Sequence, residues 1–324
     1  MRVLVKGAGV AGLTVAHELS LRRADVTVVD PCPGFSQTAS WLAGGMLAPW
    51  CERESAEEAI LLRGRDAIDR WDMMLPGEVR RNGTLVVAPA RDQGELDRFA
   101  GRTSDYEWLD EDQITALEPA FAGRFRRALF FPLEGHLNPR RVLGLLRDKL
   151  VDRHVAFIDQ ATETAGYDDI VDCTGAARIG QTSGLRGVRG EMLYLKTDEV
   201  ALARAVRLLH PRFPVYIVPR GGGLFMVGAT MIETEFGGPI SARSMMELLN
   251  AAYAVHPAFA DAAVVETGVG VRPAFADNFP RATRERDAVV LNGLYRHGFL
   301  LAPAMAEEAA DLVFSRTKTG GSNR

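Results

Sequence analysis

The chain opens with a short apolar run that is followed at once by three glycines at a fixed spacing. Residues 3–5 predict a strand, and Gly7, Gly9 and Gly12 follow it in the pattern GxGxxG before a stretch with helical periodicity. In a strand–turn–helix unit the first glycine allows a tight turn. The second removes a side chain where a pyrophosphate must approach, and the third lets the helix pack on the strand. The pattern therefore predicts a dinucleotide at the helix N-terminus, where free N–H groups and the helix dipole favour phosphate.

A second strand and an acidic residue extend this unit. Residues 26–29 are Val, Thr, Val and Val, and they end at Asp30, eighteen residues after Gly12 (30 − 12). An acid at about this distance can bind the hydroxyls of an adenosine ribose. A glycine-rich turn followed by an acidic strand end is the simpler alternative, but the complete strand–helix–strand–acid order favours dinucleotide binding. The fingerprint alone does not distinguish NAD from FAD.

The amino-acid composition argues against several classes of function. The 324 residues are enough for two joined domains, and 47% hydrophobic and 25% charged residues are usual for a globular enzyme. A net charge of −4 gives no reason to expect nucleic acid as a partner. No apolar run approaches the ~18 residues of a membrane span, so we expect a cytoplasmic protein. Three separated cysteines and six histidines without metal-ligand spacing predict neither a disulfide framework nor a metal site.

The regular βαβαβ pattern does not continue after Asp30. Helical patterns lie near residues 56–75, after Asn138-Pro139, after Ser241 and after Pro303, and residues 215–228 predict a hairpin. Segments typical of a nucleotide-binding sheet therefore lie at the start, middle and end of the chain. We expect an α/β fold with a discontinuous Rossmann-type FAD-binding domain and a mostly antiparallel α+β substrate-binding domain. The predicted FAD-binding domain comprises residues 1–75, 135–188 and 266–324, and the substrate-binding domain comprises residues 76–134 and 189–265.

An arginine beside two glycines is the first candidate for substrate binding. In the strand predicted near residues 264–272, Gly268, Gly270 and Arg272 share one face, because side chains alternate along a strand. We expect the other face, which carries residues 265, 267, 269 and 271, to be the packed one. A planar guanidinium beside a bare patch of sheet suits bidentate binding of a carboxylate. A surface arginine on a glycine-weakened strand is the alternative.

A glycine-flanked loop precedes the last predicted helix. Residues 293–302 lead into Pro303, and a helix that starts there would direct its N-terminus towards an electron-rich group. A reduced flavin collects negative charge at its N1–C2 edge and would be stabilised by such a helix. Arg296 could face a substrate from this loop, whereas an ordinary loop–helix junction is the simpler interpretation. His297 has no visible partner, so we expect its side chain to be structural.

Several segments, in this order and spacing, resemble the glycine oxidases within the D-amino-acid oxidase and sarcosine oxidase family of flavoenzymes. The resemblance covers nearly the whole chain, although each segment is weak by itself. The matching segments are residues 7–12 (GAGVAG), 40–49 (SWLAGGMLAP), 215–220 (VYIVPR), 227–231 (VGATM), 271–273 (VRP) and 296–303 (RHGFLLAP). The resemblance implies that FAD is bound without a covalent link.

The resemblance also implies roles for individual residues. Arg272 would pair with the substrate carboxylate, and Tyr216 would donate its hydroxyl to the same group. Met231 and Arg296 would line the substrate pocket beside the flavin. The residues expected to contact the cofactor, with Ala161 on the adenine side, are Gly7, Gly9, Val10, Ala11, Gly12, Asp30, Ser40, Ala43, Gly44, Gly45, Met46, Ala161, Thr174, Gly175, Arg272, His297, Gly298, Phe299 and Leu300.

By resemblance we expect oxidation of glycine, or of another small amino acid, to the imine. O2 would be reduced to H2O2, and the imine would feed thiazole synthesis for thiamine. No catalytic acid or base is obligatory if the amine arrives neutral. The expected partners are the amino acid, O2, further copies of the chain in a homo-oligomer and, functionally, a thiazole synthase; we expect neither nucleic acid nor a membrane. The alternatives are a sarcosine or D-amino-acid oxidase or dehydrogenase on the same fold, and an NAD-binding sensor without catalytic activity.

Overall fold

The computed structural model describes residues 1–32, 34–53, 56–160, 164–209 and 215–319. Ala161, which is expected to lie near the adenine, is outside these ranges. Within them the chain forms sixteen strands and nine α-helices. The strands are β1 (Arg2–Lys6), β2 (Asp25–Val29), β3 (Met46–Leu47), β4 (Thr84–Val87), β5 (Glu107–Asp110), β6 (Arg127–Phe131), β7 (Gly135–His136), β8 (Ala156–Ile158), β9 (Asp169–Asp172), β10 (Arg186–Lys196), β11 (Ala205–Leu208), β12 (Val215–Gly221), β13 (Leu224–Gly228), β14 (Ala263–Ala274), β15 (Arg281–Glu285) and β16 (Ala288–Asn292). The helices are α1 (Val10–Leu21), α2 (Pro49–Arg53), α3 (Glu58–Gly64), α4 (Ala67–Met74), α5 (Gly94–Ala100), α6 (Glu111–Leu117), α7 (Pro139–Asp152), α8 (Ala242–Val255) and α9 (Gly298–Thr319).

The first sheet is built around the N-terminal strand. Its six strands lie in the order β15-β16-β9-β1-β2-β8, and all neighbours are parallel except β15 and β16. Val3, Leu4 and Val5 of the central strand β1 are fully buried, as expected for a strand covered on both faces. Helices α1 and α9 pack against each other over this sheet, in one apolar core. The parallel order is that of a Rossmann-type nucleotide-binding sheet, which confirms the predicted α/β class.

The second sheet is larger and mostly antiparallel. Its eight strands lie in the order β14-β10-β13-β12-β11-β4-β6-β5, and only β11 and β4 run parallel. The hairpin predicted at residues 215–228 is confirmed, because β12 and β13 pair directly. One face packs against α8 through Leu248, Ala251 and Val255. The opposite face is turned towards the first sheet, and it forms one wall of the functional site.

The predicted domain boundaries fall inside two long strands. The boundary at residues 188/189 lies within β10, and the boundary at residues 265/266 lies within β14. These two strands pair with each other through eleven residue pairs, from Arg186 with Ala274 to Lys196 with Ala263, and a bulge at Val265 interrupts the register. Both strands belong wholly to the eight-stranded sheet, and the division into the predicted segments stays a prediction.

The N-cap residues predicted for two helices, α7 and α8, are confirmed. Asn138 precedes α7, and its side-chain oxygen accepts hydrogen bonds from the N–H groups of Arg140 and Arg141, with Pro139 at the first helical position. Ser241 caps α8 by accepting from the N–H of Ser244. In both cases a short polar side chain satisfies N–H groups that have no partner within the helix.

The helix predicted at residues 56–75 is two helices, α3 and α4. The break follows Gly64, the last residue of α3, which is buried against α9. A Cβ at this position would lie only 2.8 Å from Cγ of Leu300. Tertiary contact with α9 thus decides where α3 ends, and the apolar periodicity of the sequence does not contain that information.

The last helix begins at Gly298, five residues before the predicted start at Pro303. Pro303 lies inside α9 and has no N–H to donate to the carbonyl of Phe299, four residues earlier. That carbonyl instead accepts a hydrogen bond of 2.7 Å from the indole N–H of Trp71. A buried side chain from α4 therefore replaces the missing backbone bond and lets the helix continue through the proline. None of the described helices is both long enough and apolar enough to cross a membrane.

Candidate cofactor and substrate site

A cavity of about 860 Å³ lies between the two sheets. One wall is formed where the parallel strands β1, β2, β9 and β16 end, at Lys6, Val29, Cys173 and Leu291. Ligands of open α/β sheets bind beyond the carboxyl ends of the strands, because the loops and helix N-termini there converge. The other wall is the inner face of the eight-stranded sheet. The volume is in the range of cofactor and substrate sites.

The glycine fingerprint occupies the first wall in the predicted geometry. Gly7 has a φ of +93°, a left-handed conformation that favours glycine. A Cβ at Gly12 would overlap the carbonyl oxygen of Gly7, so Gly12 permits the close contact between α1 and β1. Gly9, Val10 and Ala11 line the cavity at the N-terminus of α1. Gly12 is not on the cavity wall, and its role is packing rather than contact.

The N–H groups at the start of α1 face polar atoms of neighbouring loops. The N–H of Val10 donates to Oγ of Ser40 at 3.0 Å, and the N–H of Ala8 donates to a carboxylate oxygen of Asp30 at 2.6 Å. The other oxygen of Asp30 accepts from the N–H of Cys32 at 2.8 Å. Ser40 and Asp30 are both on the cavity wall, at the end that the fingerprint assigns to the nucleotide.

The segment of residues 43–46 runs along the cavity and is fixed from behind. Ala43, Gly44, Gly45 and Met46 all line it. Arg220 of β12 donates to the carbonyl of Gly44 at 2.8 Å, and the N–H of Leu137 donates to the carbonyl of Gly45 at 2.9 Å. Because these two carbonyls are hydrogen-bonded to residues outside the segment, the segment presents a fixed edge to a bound ligand. Thr174 and Gly175, which follow β9, also line the cavity, and the carbonyl of Gly175 accepts from the side chain of Asn292.

Of the residues at the start of α9 that were expected to contact the cofactor, only some line the cavity. Gly298 and Phe299 line the cavity, whereas His297 and Leu300 lie behind the wall. Leu300 packs against Gly64 and belongs to the core. His297, which was expected to be structural, is buried, and its Nδ1 lies 3.4 Å from Oε2 of Glu52. Burial lowers the pKa of His297 to about 4 although Glu52 opposes the shift, so the imidazole is neutral at physiological pH.

Arg272 lies in the substrate end of the cavity. Its Nη1 donates to the carbonyl of Thr230 at 3.1 Å, and a Cβ at Gly190 would overlap its guanidinium. Gly190 is on β10, where its partner across the sheet is Gly270 of β14. Burial lowers the pKa of Arg272 to about 10, with a smaller effect of Arg296, and the side chain stays charged at neutral pH. The guanidinium therefore lies flat over a backbone that carries no side chain.

The predicted faces of β14 need a correction. Leu42 covers the glycine face, since a Cβ at Gly268 would lie 2.7 Å from its Cδ2 and a Cβ at Gly270 would lie 3.0 Å from its Cδ1. The face that was expected to be packed is the more open one, since Thr267 is exposed and Val269 and Val271 are only half-buried. Leu42 therefore packs on the glycine face of β14, the face that was expected to be bare. The bare patch beneath Arg272 belongs to Gly190 of the neighbouring strand, which the sequence pattern of β14 could not identify.

Tyr216 lies on the same sheet face as Gly190. Register places Gly268, Met192, Gly228 and Tyr216 in one row across four strands. Directly opposite residues of neighbouring strands share a face, so the tyrosine points into the cavity. Its hydroxyl donates to Oε1 of Glu52 at 3.1 Å and accepts from Nη1 of Arg207 at 3.2 Å. Burial raises the pKa of Tyr216 well above its usual range, so the hydroxyl keeps its proton. The expected donation to a substrate carboxylate is thus replaced, in this structure, by donation to Glu52.

Glu52 is the functional candidate that the sequence analysis missed. It lies on the short helix α2, lines the cavity and is only 6% exposed. Its Oε2 is 2.6 Å from Nη2 of Arg296. Burial alone would raise the pKa of Glu52, but Arg296 and the weaker effects of His297, Arg207 and Tyr216 outweigh it and lower the pKa to about 2. The carboxylate is therefore ionised at any physiological pH. In the sequence it is one of several acids in residues 52–58, and its position directly after the segment of residues 40–49 was the only signal.

Arg296, Met231 and Tyr295 complete the substrate end. Nη1 of Arg296 lies 3.7 Å from Sδ of Met231, and the hydroxyl of Tyr295 lies 3.4 Å from the same sulfur. All three residues line the cavity. Tyr295, which the sequence analysis did not single out, closes the pocket from the loop before α9. The structure thus brings together Arg272, Tyr216, Arg296 and Met231, the four predicted substrate residues.

The cavity fits a flavin dinucleotide in its chemistry. Its nucleotide end has side-chain-free backbone at Gly9, the N-terminus of α1 and the carboxylate of Asp30. Its other end is bordered by the residues 43–46 and by the N-terminus of α9, whose dipole favours negative charge. The two ends lie on one continuous cavity, as a long ligand of two parts requires.

Comparison with known proteins agrees with this interpretation. The model of the DAO family of FAD-dependent oxidoreductases matches residues 2–312. A putative thiamine biosynthesis oxidoreductase ThiO of Rhizobium etli is 62% identical over 312 residues, which cover 96% of this chain and 95% of that protein. The bifunctional protein ThiO/ThiG of a Nostoc species is 27% identical, and the match covers 96% of this chain but 52% of that protein.

A glycine oxidase of Geobacillus kaustophilus is 25% identical, and the match covers 96% of this chain and 92% of that protein. The solved structure of glycine oxidase from the same species superposes with a TM-score of 0.78 at 23% identity, covering 97% of this chain and 95% of that one. At this identity the structural match shows the fold alone. The family model spans nearly the whole chain, and its cofactor decides between the two dinucleotides left open by the fingerprint. The chain belongs to the DAO family of FAD-dependent oxidoreductases.

Proposed function

We propose that this enzyme oxidises glycine, or a comparably small amino acid, to the imine and reduces O2 to H2O2. The observation that carries the proposal is the position of Arg272, whose charged guanidinium lies over Gly190 inside the cavity. Arg272 is half-buried and has no carboxylate partner among the residues that the structure describes, so it can bind the carboxylate of a small substrate with two parallel hydrogen bonds. The similarity to a glycine oxidase over nearly the whole chain supports the same substrate class.

Thr230 fixes the orientation of this anchor. Its carbonyl accepts from Nη1 of Arg272, and its own N–H and Oγ1 are bonded to the backbone of Glu191 in β10. The carbonyl that holds the guanidinium therefore lies in a loop segment that is itself bonded to the strand β10, which keeps the guanidinium in one position before substrate arrives. Such preorganisation lets a substrate be held in a reactive geometry, an effect worth several kcal/mol in the barrier.

FAD, when bound, supplies the acceptor for the hydride that leaves the substrate carbon. The residues of this chain have the remaining tasks. Arg272 holds the carboxylate, while Tyr216, Met231 and Tyr295 bound the space for the rest of the amino acid. The low pKa of Glu52 makes it a weak base, so the proposal includes no proton transfer to a side chain and requires the neutral amine. The N-terminus of α9 provides a positive field at the wall where Gly298 and Phe299 lie.

The decisive experiment is a visible spectrum of the purified enzyme, followed by addition of glycine without oxygen. The proposal requires flavin absorbance that glycine bleaches and that oxygen restores with one H2O2 per imine. Rates of peroxide release should then be compared for glycine, sarcosine and D-alanine. A flavin that glycine does not bleach would contradict the proposed substrate. Bleaching without reoxidation by O2 would identify a dehydrogenase instead of an oxidase.

The alternative substrates share the same carboxylate anchor. Sarcosine and D-amino acids differ from glycine only in what extends from the nitrogen or the α-carbon, and the space near Met231 and Tyr295 decides whether that extension fits. The comparison of the three substrates therefore tests this second candidate function directly.

The proposal places the reaction in thiamine biosynthesis, where the imine would feed thiazole formation. The names of the Rhizobium relative and of the Nostoc protein support this placement, and the second suggests a functional link with a thiazole synthase. A cytoplasmic location and a homo-oligomer belong to the same proposal. Thiamine dependence of a deletion strain, cell fractionation and light scattering of the purified protein test these points separately.

A further inference from the structure

Among the residues that the structure describes, two arginines, Arg272 and Arg296, but one carboxylate, that of Glu52, line the substrate end of the cavity. Arg272 is bonded to a neutral carbonyl, that of Thr230. Arg296 forms an ion pair with Glu52 at 2.6 Å, and the side chains of both are largely buried. Only one of these two guanidinium groups therefore offers uncompensated charge to a ligand, although the sequence supplies two.

Glu52 is held firmly in this position. Its Oε1 accepts from Tyr216, and behind the wall Nη1 of Arg207 lies 3.9 Å from the same oxygen. Its backbone is part of α2, which is packed between the core and the cavity. The next residue towards the N-terminus, Cys51, donates its N–H to the buried carboxyl group of Glu134. The Glu52 side chain could leave Arg296 only by breaking several of these contacts together.

We propose that Glu52 determines the substrate specificity of this enzyme, by neutralising Arg296 so that the pocket accepts amino acids with a single carboxylate. A substrate with a second anionic arm, such as iminodiacetate, would bring that arm beside the ionised Glu52. Like charges in a buried site repel strongly, and unpaired negative charge is costly to bury. The inference deepens the proposed function, since it rests on Arg272 as the carboxylate anchor.

The test compares two ligands that cannot be oxidised because they carry no amine. Acetate has one carboxylate and malonate has two, and their binding to the FAD-loaded enzyme can be measured by calorimetry and by the shift in flavin absorbance. The wild type should bind acetate about tenfold or more tightly than malonate. Glu52→Gln keeps the size and an oxygen that can accept from Tyr216, but it removes the charge. In this variant the preference for acetate should fall about tenfold or reverse, because Arg296 becomes available.

A matched control is Glu118→Gln. Glu118 is also buried and pairs with an arginine, Arg204, at 2.7 Å, but it is remote from the cavity wall. Its substitution should leave the ratio of the two dissociation constants unchanged. An equal change of the ratio in both variants would overturn the assignment to Glu52.

Arg296→Met provides a second route should Glu52→Gln fail to fold. This variant leaves the charge of Glu52 without its partner, so malonate should bind still more weakly relative to acetate. An unchanged ratio in whichever of the two variants folds would refute the proposal. Turnover of iminodiacetate relative to glycine should follow the binding ratio in the same direction.

The outcomes separate this inference from the proposed function. If acetate binds the wild type no better than malonate, Glu52 has no role in specificity, while glycine oxidation can still be measured. If the preference holds but glycine is not oxidised, the charge selectivity stands and the assigned reaction is wrong. If the wild type binds neither ligand, Arg272 is not a carboxylate anchor, and both proposals fail.

Discussion

At the scale of single residues, the site depends on how buried charges are compensated. Arg272, Glu52 and Arg296 lie at the same end of the cavity, and each would be costly to bury without a polar partner. Thr230 and the Glu52–Arg296 pair supply those partners and leave room for one carboxylate from outside. This arrangement explains how one chain can bury several charges at a site and still bind an anion.

Arg272→Lys should raise the KM for glycine about 10- to 100-fold while the protein keeps its flavin. A lysine retains the positive charge but cannot form two parallel hydrogen bonds with a carboxylate, a loss of about 1.5–3 kcal/mol. Steady-state kinetics with glycine and the flavin absorbance of the purified variant provide the measurement. An unchanged KM would remove the role assigned to Arg272, whereas loss of the flavin would indicate a structural role.

Glu134 should make the stability depend on pH. Burial raises the pKa of this fully buried carboxyl from 4.5 to about 7. Between these two values the folded state keeps a proton that the unfolded state has released, so stability falls as the pH rises through this window and then levels off. The loss attributable to Glu134 is roughly 3 kcal/mol.

Glu134→Gln should abolish this component because its side chain is neutral at every pH. The difference in unfolding free energy between the variant and the wild type, measured with urea at pH 5 and pH 8, should change by about 2.5 kcal/mol in favour of the variant at the higher pH. Equal differences at both pH values would show that the Glu134 carboxyl is not protonated in the folded protein. The oxygen that accepts from the N–H of Cys51 is retained in the amide.

At the scale of elements, tertiary partners decide where helices begin and end. α9 passes through Pro303 because Trp71 of α4 bonds the carbonyl that the proline leaves free. The early start at Gly298 brings the N-terminus of α9 to the cavity wall, where its dipole acts on a bound ligand. The same contact therefore stabilises the helix and shapes the site.

A double-mutant cycle tests this contact. Trp71→Phe leaves the carbonyl of Phe299 without a partner, but in a Pro303→Ala background the N–H of the new alanine can bond it. Trp71→Phe should therefore cost about 1 kcal/mol less in the Pro303→Ala protein than in the wild type. Unfolding free energies of the four proteins supply the measurement. Additive effects would mean that the indole N–H does not replace the backbone bond.

At the scale of the whole molecule, the cavity lies between the six-stranded sheet and the inner face of the eight-stranded sheet, whose strands β10 and β14 border it. A dinucleotide that binds there contacts elements from the start, middle and end of the chain. Binding to the folded state alone stabilises it, by about 2.7 kcal/mol at a free concentration a hundredfold above the dissociation constant. FAD is therefore expected to stabilise the entire fold.

Gly9→Ala should reduce this stabilisation selectively. Within 4 Å, a Cβ at Gly9 would meet one atom outside its neighbouring residues, Oγ of Ser40 at 3.3 Å, so the protein without FAD should lose little stability. The methyl group would occupy space that the fingerprint keeps free for the pyrophosphate, and the rise in Tm on adding FAD should shrink. Gly144→Ala is the control, because a Cβ there meets nothing within 4 Å and should leave the FAD effect intact. An undiminished FAD effect in Gly9→Ala would contradict the position proposed for the phosphates.

The sequence by itself determined the features that depend on neighbours along the chain. The turn after β1, the caps of α7 and α8 and the β12–β13 hairpin are local patterns, since each follows from which residues lie within a few positions of one another. Arg272 could be selected as a candidate for the same reason, from two glycines within four residues.

Only the tertiary structure decided which strands and side chains meet across long separations in the chain. Gly190 lies beneath Arg272 because β10 and β14 pair, and Glu52 meets Tyr216 and Arg296 because α2, β12 and the loop before α9 converge. The cost or gain of burying a charge depends on these distant partners, and a linear pattern contains no information about them. The acid at position 52 was for this reason inconspicuous in the sequence and central in the folded molecule.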